Sequence, residues 1–202
     1  RTLAHNQAPV KVARAERHLG VLQNGGAGRA TLCDRDGCGV SPSQPVNYRW
    51  TLVGQRKAVP DENPCGRRLH VLAALVCDGP HPSLTWDMQP RTLRASDLRA
   101  FLPGIPRQPD TPLVVVLDNA GRQRRKAGQA AVPALWRQGI YLYYLPPSSP
   151  QLNALARVFG VIKPYDLPER RYATDTALEE ALDAAFTRYE TRLLAKTTHN
   201  RG

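Results

Sequence analysis

Two aspartates stand where a sheet could bring carboxylates together. Asp118 closes the run Leu113 to Leu117 in LVVVLDNAG, and Asp34 closes a shorter apolar stretch in TLCDRDG. A continuously apolar run of this length reads as a strand covered on both faces. The carboxyl ends of such strands are where open α/β sheets place their sites. If the two strands are neighbours, Asp34 and Asp118 converge. Paired carboxylates supply the hard oxygen ligands that Mg2+ takes. Ions held in this way can activate a water or a 3′-hydroxyl and stabilise the leaving oxygen in phosphodiester chemistry. Aspartates are also common where strands simply end in turns, and position alone does not separate the two readings.

The elements that must position these residues change character along the chain. The first half offers short strands at Ala30 to Asp34, Tyr48 to Gly54, Arg68 to Cys77 and Ser83 to Met88, with Asp78-Gly79 as a hairpin turn between the last two. This is an antiparallel meander. Asp36 would share a face with Asp34 in a continued strand, but Gly37 favours a turn there. The second half alternates helix and strand. Arg94 to Leu102 reads as a helix, LVVVL as a strand, Arg124 to Gln138 as a helix containing Pro133, and Ile140 to Leu145 as a strand. After the stiff loop at Pro146, Pro147 and Pro150, an apolar face recurs at Leu152, Leu155, Phe159 and Ile162. Leu178, Leu182, Phe186, Tyr189 and Leu193 make a last amphipathic helix. The order predicts an α/β fold with an antiparallel meander on one side of the sheet, parallel strands on the other, and flanking helices.

The chain of 202 residues suits one domain. Residues 1–26 read as a lead-in helix and linker, and 27–202 as the compact domain. No run approaches the roughly 20 apolar residues a membrane span needs. The N-terminus RTLAHNQAPVKVARAERHLG lacks the apolar region of a signal peptide, so the cytoplasm is the default expectation, with nucleoid association if the source is bacterial. Cys33, Cys38, Cys65 and Cys77 form no CxxC pair and read as free thiols rather than a zinc site.

Charge is the compositional clue to a partner. Lys and Arg total 28 against 17 Asp and Glu, a net charge of +11, and 23 of the 28 are Arg. Arg makes bidentate phosphate contacts, and a polyanion such as nucleic acid is the expected partner. A solvated basic surface is the plainer alternative. Arg122, Arg124, Arg125 and Lys126 begin just after Asp118. Four cations at a helix start oppose its macrodipole, which favours a role in gripping the phosphate backbone. Lys163, Arg170 and Arg171 extend the track. Trp50, Trp86 and Trp136 read as packing residues rather than base-stacking platforms, and His70 as a core residue rather than a ligand.

The stretch YLPPSSPQLNALARVFGVIK, with LDN upstream, resembles the DDE superfamily of transposases, and among them the Tc–mariner-type insertion-sequence enzymes. RATLCDRDGCG, YRWTLVGQRKAVP and RRLHVLAALVCDG follow in the family's order, so the resemblance covers about residues 30 to 190. It implies a ribonuclease-H-like fold and a catalytic core that cuts transposon ends and joins the 3′-hydroxyl to target DNA. It also implies Mg2+ or Mn2+ held by Asp34, Asp118 and a third carboxylate. That third carboxylate is absent: the position expected for Glu is Ala156. Arg35, Gln151 and Gln123 also depart from the family's residues. Asp36 is one candidate to substitute, while Asp166 and Glu169 lie two to three turns beyond Ala156 and are expected to point elsewhere. Relatives usually carry helix-turn-helix domains before the core. No segment here resembles one, so the expectation is a core that alone binds DNA with little sequence preference. No small-molecule substrate is implied. The other reading is a catalytically inactive module that holds DNA or pairs with a second copy of itself; Ala156 favours it, and the retained Asp34 and Asp118 oppose it.

Overall fold

The computed structural model describes residues 9–25, 30–42, 53–54, 68–77, 82–118, 132–147, 149–167 and 172–199. Helix α1 (Pro9–Gly25) leads into β1 (Thr31–Val40), β2 (Leu69–Val76) and β3 (Ser83–Gln89). Helix α2 (Ala95–Phe101) and a 3-10 turn precede β4 (Leu113–Leu117). A further helix, α3, is described over residues 132–136 and runs through Pro133. Then come β5 (Ile140–Tyr144), α4 (Ala154–Val161), a π-turn (Ile162–Asp166) and α5 (Asp175–His199).

The five strands form one sheet in the order β3-β2-β1-β4-β5. β1 pairs antiparallel with β2, and β2 with β3, so the meander occupies one half. β1 pairs parallel with β4, and β4 with β5, in the other half. LVVVL is buried because it lies between two strands with helices on both faces. This is the mixed sheet of the ribonuclease-H-like fold.

Two sequence expectations need correction. β1 does not turn at Asp36-Gly37 but continues to Val40, because all eight residues from Cys33 to Val40 find partners on β2. Gly37 serves close approach instead: a Cβ added there would meet Leu93 Cδ1 at 3.2 Å. The strand expected at Tyr48 to Gly54 lies mostly outside the described residues, and its described end, Val53-Gly54, is a turn with Gly54 at φ 87°.

Alternation divides the sheet into two faces. Val40, Leu69, Val71, Ala73, Leu75 and Leu84 pack under Leu155, Val158 and Phe159 of α4 and Leu178, Leu182 and Phe186 of α5. Leu32 and Val116 continue that face beneath Leu19 of α1. Cys33, Ala74, Val115 and Leu117 face the other way, toward Leu102, Ile105 and Leu135. Trp86 is a packing residue, stacked on Phe186 with ring centroids 5.3 Å apart. Trp136 is not: it is 58% exposed, because Leu135 takes the inward position at the end of α3. Trp50 lies outside the described residues. Among those described, no helix is long and apolar enough to cross a membrane.

Candidate active site

The parallel pairing of β1 with β4 sets Asp34 opposite Val116 and Arg35 opposite Leu117. One more step along that register brings Asp118, just past the end of β4, beside Asp36. Neighbouring strands lie about 4.8 Å apart and a residue advances about 3.3 Å, so the α-carbons of 34 and 118 are about 8 Å apart. Those of 36 and 118 are about 5 Å apart by the same spacing. Positions 32, 34, 36 and 116 share the face that α1, α4 and α5 cover. The sheet thus brings Asp34 and Asp118 to one edge, with Asp118 exposed and Asp34 half-buried.

Helix α4 is fastened onto this edge by its first turn. Asn153 is buried and caps the helix, its Oδ1 accepting the Leu155 N–H at 3.0 Å. Its Nδ2 donates to the Arg35 carbonyl at 3.3 Å, and the Ala154 N–H donates to Asp34 Oδ2 at 3.3 Å. The positive end of the helix dipole therefore rests on the Asp34 carboxylate. Sequence reasoning treated Asn153 only as part of a motif. The missed signal is an N-cap residue directly before an apolar helical run. Ala156 lies in this same turn, half-buried, and brings only a methyl group to the side of the site.

Asp36 stands next to Asp34 on the same face of β1, with its Oδ1 accepting the Gly37 N–H at 2.7 Å. Burial pushes its carboxyl above the usual range. The Gly37 hydrogen bond and Arg35 oppose that shift, the Asp118 charge adds to it, and Lys163 counters it. Asp36, Asp118 and Lys163 therefore lie within one another's electrostatic reach. The Lys163 ammonium donates to the Gly39 carbonyl at 3.2 Å and sits 5.9 Å from the Phe159 ring centre, so it lies along β1. Asp166 is turned away and forms a two-pronged pair with Arg192, at 3.0 and 2.6 Å.

The donor set suits a hard divalent cation. Mg2+ is commonly held by one or two carboxylates plus water and substrate phosphate, and Asp34 and Asp118 offer that. Among the described residues no group of three or more His, Cys, Asp or Glu is gathered to hold a metal, in keeping with the methyl group at position 156. The thiols are far from this role. Burial raises Cys33 well above the usual thiol range and Cys38 to about 11. Cys77 is exposed, and Cys65 lies outside the described residues, as do Arg122, Arg124, Arg125, Lys126, Glu169, Arg170 and Arg171. His70, half-buried on β2, places its ring against Gly39.

A model of the family described as DDE superfamily endonuclease matches residues 32–179, and the chain belongs to that family. Solved structures with a similar fold include the Mos1 transposase paired-end complex with left transposon end, with a TM-score of 0.60 and 14% identity over 93% of this chain and 59% of that one. The mariner Mos1 paired end complex with Mg gives 0.65 and 15% over 98% and 61%. The Mos1 Strand Transfer Complex gives 0.60 and 14% over 95% and 56%. The chain spans less than two thirds of the length of these proteins. No curated protein matches the sequence.

Proposed function

We propose that this chain is the catalytic core of a DNA transposase, a metal-dependent endonuclease and strand transferase slowed by the alanine at position 156. The observation that carries this reading is the β1–β4 register, which brings Asp34 and Asp118 to one sheet edge in a chain of the DDE endonuclease family. Structural neighbours are described as paired-end and strand-transfer complexes, one of them with Mg. DNA is the partner, in accord with the +11 net charge. Asp34 and Asp118 hold Mg2+ or Mn2+, which supplies the Lewis acidity that activates the attacking oxygen and stabilises the leaving one.

The chain's own residues set up that chemistry. Asp34 is fixed by the Ala154 N–H, and Asn153 holds the first turn of α4 over β1. Arg122, Arg124, Arg125 and Lys126 follow Asp118 and grip the phosphate backbone, adding affinity but no sequence reading. Lys163 adds a further cation beside β1. Ala156 favours a second reading, in which the domain holds DNA without cutting it.

Nicking of supercoiled plasmid under Mg2+ and Mn2+ separates the two. The wild-type chain should nick slowly, Ala156→Glu roughly a hundredfold faster, which corresponds to about 2.7 kcal/mol of barrier, and Asp118→Asn not at all. Plasmid retained on a gel but left uncut by wild type and Ala156→Glu alike would favour the holding module. Nicking that survives Asp118→Asn would reject the site.

A further inference from the structure

We infer that Asp36 is the third metal-holding carboxylate of this chain, supplied by β1 in place of the one α4 lacks at Ala156. The inference rests on the reading of Asp34 and Asp118 as the metal site.

The geometry has three parts. First, β1 stays in register with β2 from Cys33 to Val40, so Asp34 and Asp36 project from the same face two residues apart. Second, the β1–β4 register places position 36, not 34, directly beside Asp118. Third, that face lies under α4, whose first turn already meets the Asp34 carboxylate. A cation between Asp34 and Asp118 therefore sits on the face from which Asp36 also projects. Of the carboxylates near α4, Asp166 is engaged by Arg192 on the far side of the π-turn. Asp36 is tied only lightly, by the N–H of the next residue in the chain. To face the cation its carboxylate must turn from that N–H by a change of rotamer. This is a short movement for a side chain already on the correct face.

The arrangement also accounts for which acid was lost. A carboxylate at 156 would enter from α4 and add a further negative charge to a site that already holds three. With Asp36 on the sheet, the donor count stays at three while α4 contributes only its backbone N–H.

The test is Mn2+ binding to the full chain, followed by the electron paramagnetic resonance signal of free Mn2+. Wild type, Asp36→Asn, Asp36→Ser, Asp118→Asn and the double variant Asp36→Asn/Ala156→Glu are compared. Both Asn and Ser can still accept the Gly37 N–H, and melting without metal confirms folding for each. The expected result is that both Asp36 variants weaken Mn2+ binding roughly tenfold or more, a loss of the size seen when metal-site groups are removed. The loss should persist between about 0.05 and about 0.5 M NaCl, over which the Debye length falls from roughly 14 to roughly 4 Å. The double variant should recover binding. Unchanged binding in both Asp36 variants, with Asp118→Asn still defective, would overturn the role of Asp36 and leave the site standing. A loss that fades at high salt would also overturn it, by showing a distant charge rather than a ligand. If wild type itself binds no Mn2+, both the site and this inference fall.

Discussion

The two halves of the site are built to different standards. The strand half keeps its chemistry: Asp34 and Asp118 sit at the edge where parallel strands β1 and β4 meet. The helix half keeps its position and lacks its chemistry. Helix α4 is capped by Asn153, bonded to the Arg35 carbonyl and to Asp34, and packed by Leu155, Val158 and Phe159 onto the sheet. Yet Ala156 offers no donor. The difference shows that the forces placing a catalytic helix are separate from the one side chain it carries to the site. Buried apolar contacts and a cap fix the helix, and neither depends on residue 156.

Variants can break or sharpen that comparison. The largest effect should come from Phe186→Ala, which removes the ring stacked on Trp86 and set edge-on to Phe159 beneath both helices. Denaturant unfolding should show a loss of about 3–5 kcal/mol, and a smaller loss would mean that α4 and α5 do not share one core. Asn153→Ala should come next, at about 1–2 kcal/mol for the lost cap, read by calorimetry as a fall of roughly 2–8 °C. An unchanged melting point would show that packing alone holds α4. Ala156→Glu should leave stability within about 1 kcal/mol of wild type and on the stabilising side, since an acid in the first turn suits the helix dipole. Marked destabilisation would mean that residue 156 does shape the helix.

The smallest effect lies on the opposite face. The Arg91 guanidinium, and then the Arg94 N–H, hold the Asp97 carboxyl well below the usual range at the start of α2. A depressed folded pKa stabilises at pH values above the ordinary aspartate value, and the contribution is lost as pH falls through the folded one. Asp97→Asn should therefore flatten a shallow acid-side loss in thermal melts and leave Mn2+ binding untouched. A change in Mn2+ binding would couple the two faces in a way the fold does not suggest.

How much of this was legible depended on whether the signal was local. LVVVL announced a strand buried on both faces, and Asp118 at its end announced a site. The last two helices declared themselves by apolar spacing. β1 was half legible: Asp36-Gly37 looks like a turn in isolation, and only its partner strand β2 holds it extended. The start of α4 was read a turn too early, because Leu152 continues the apolar spacing while belonging to a 3-10 turn before the cap. The exposure of Trp136 was not legible, since it depends on which side of α3 faces the sheet. The placing of Asp36 beside position 118 follows from strand register, which no single segment encodes.

The most direct test of the account is the Mn2+ affinity of Ala156→Glu against wild type, with Asp118→Asn as the reference for a disabled strand half. The account predicts that a carboxylate added to a helix already in place tightens Mn2+ binding roughly tenfold or more, while Asp118→Asn binds none. Equal affinity for wild type and Ala156→Glu would contradict it, because position 156 would then lie beyond reach of the metal that Asp34 and Asp118 hold.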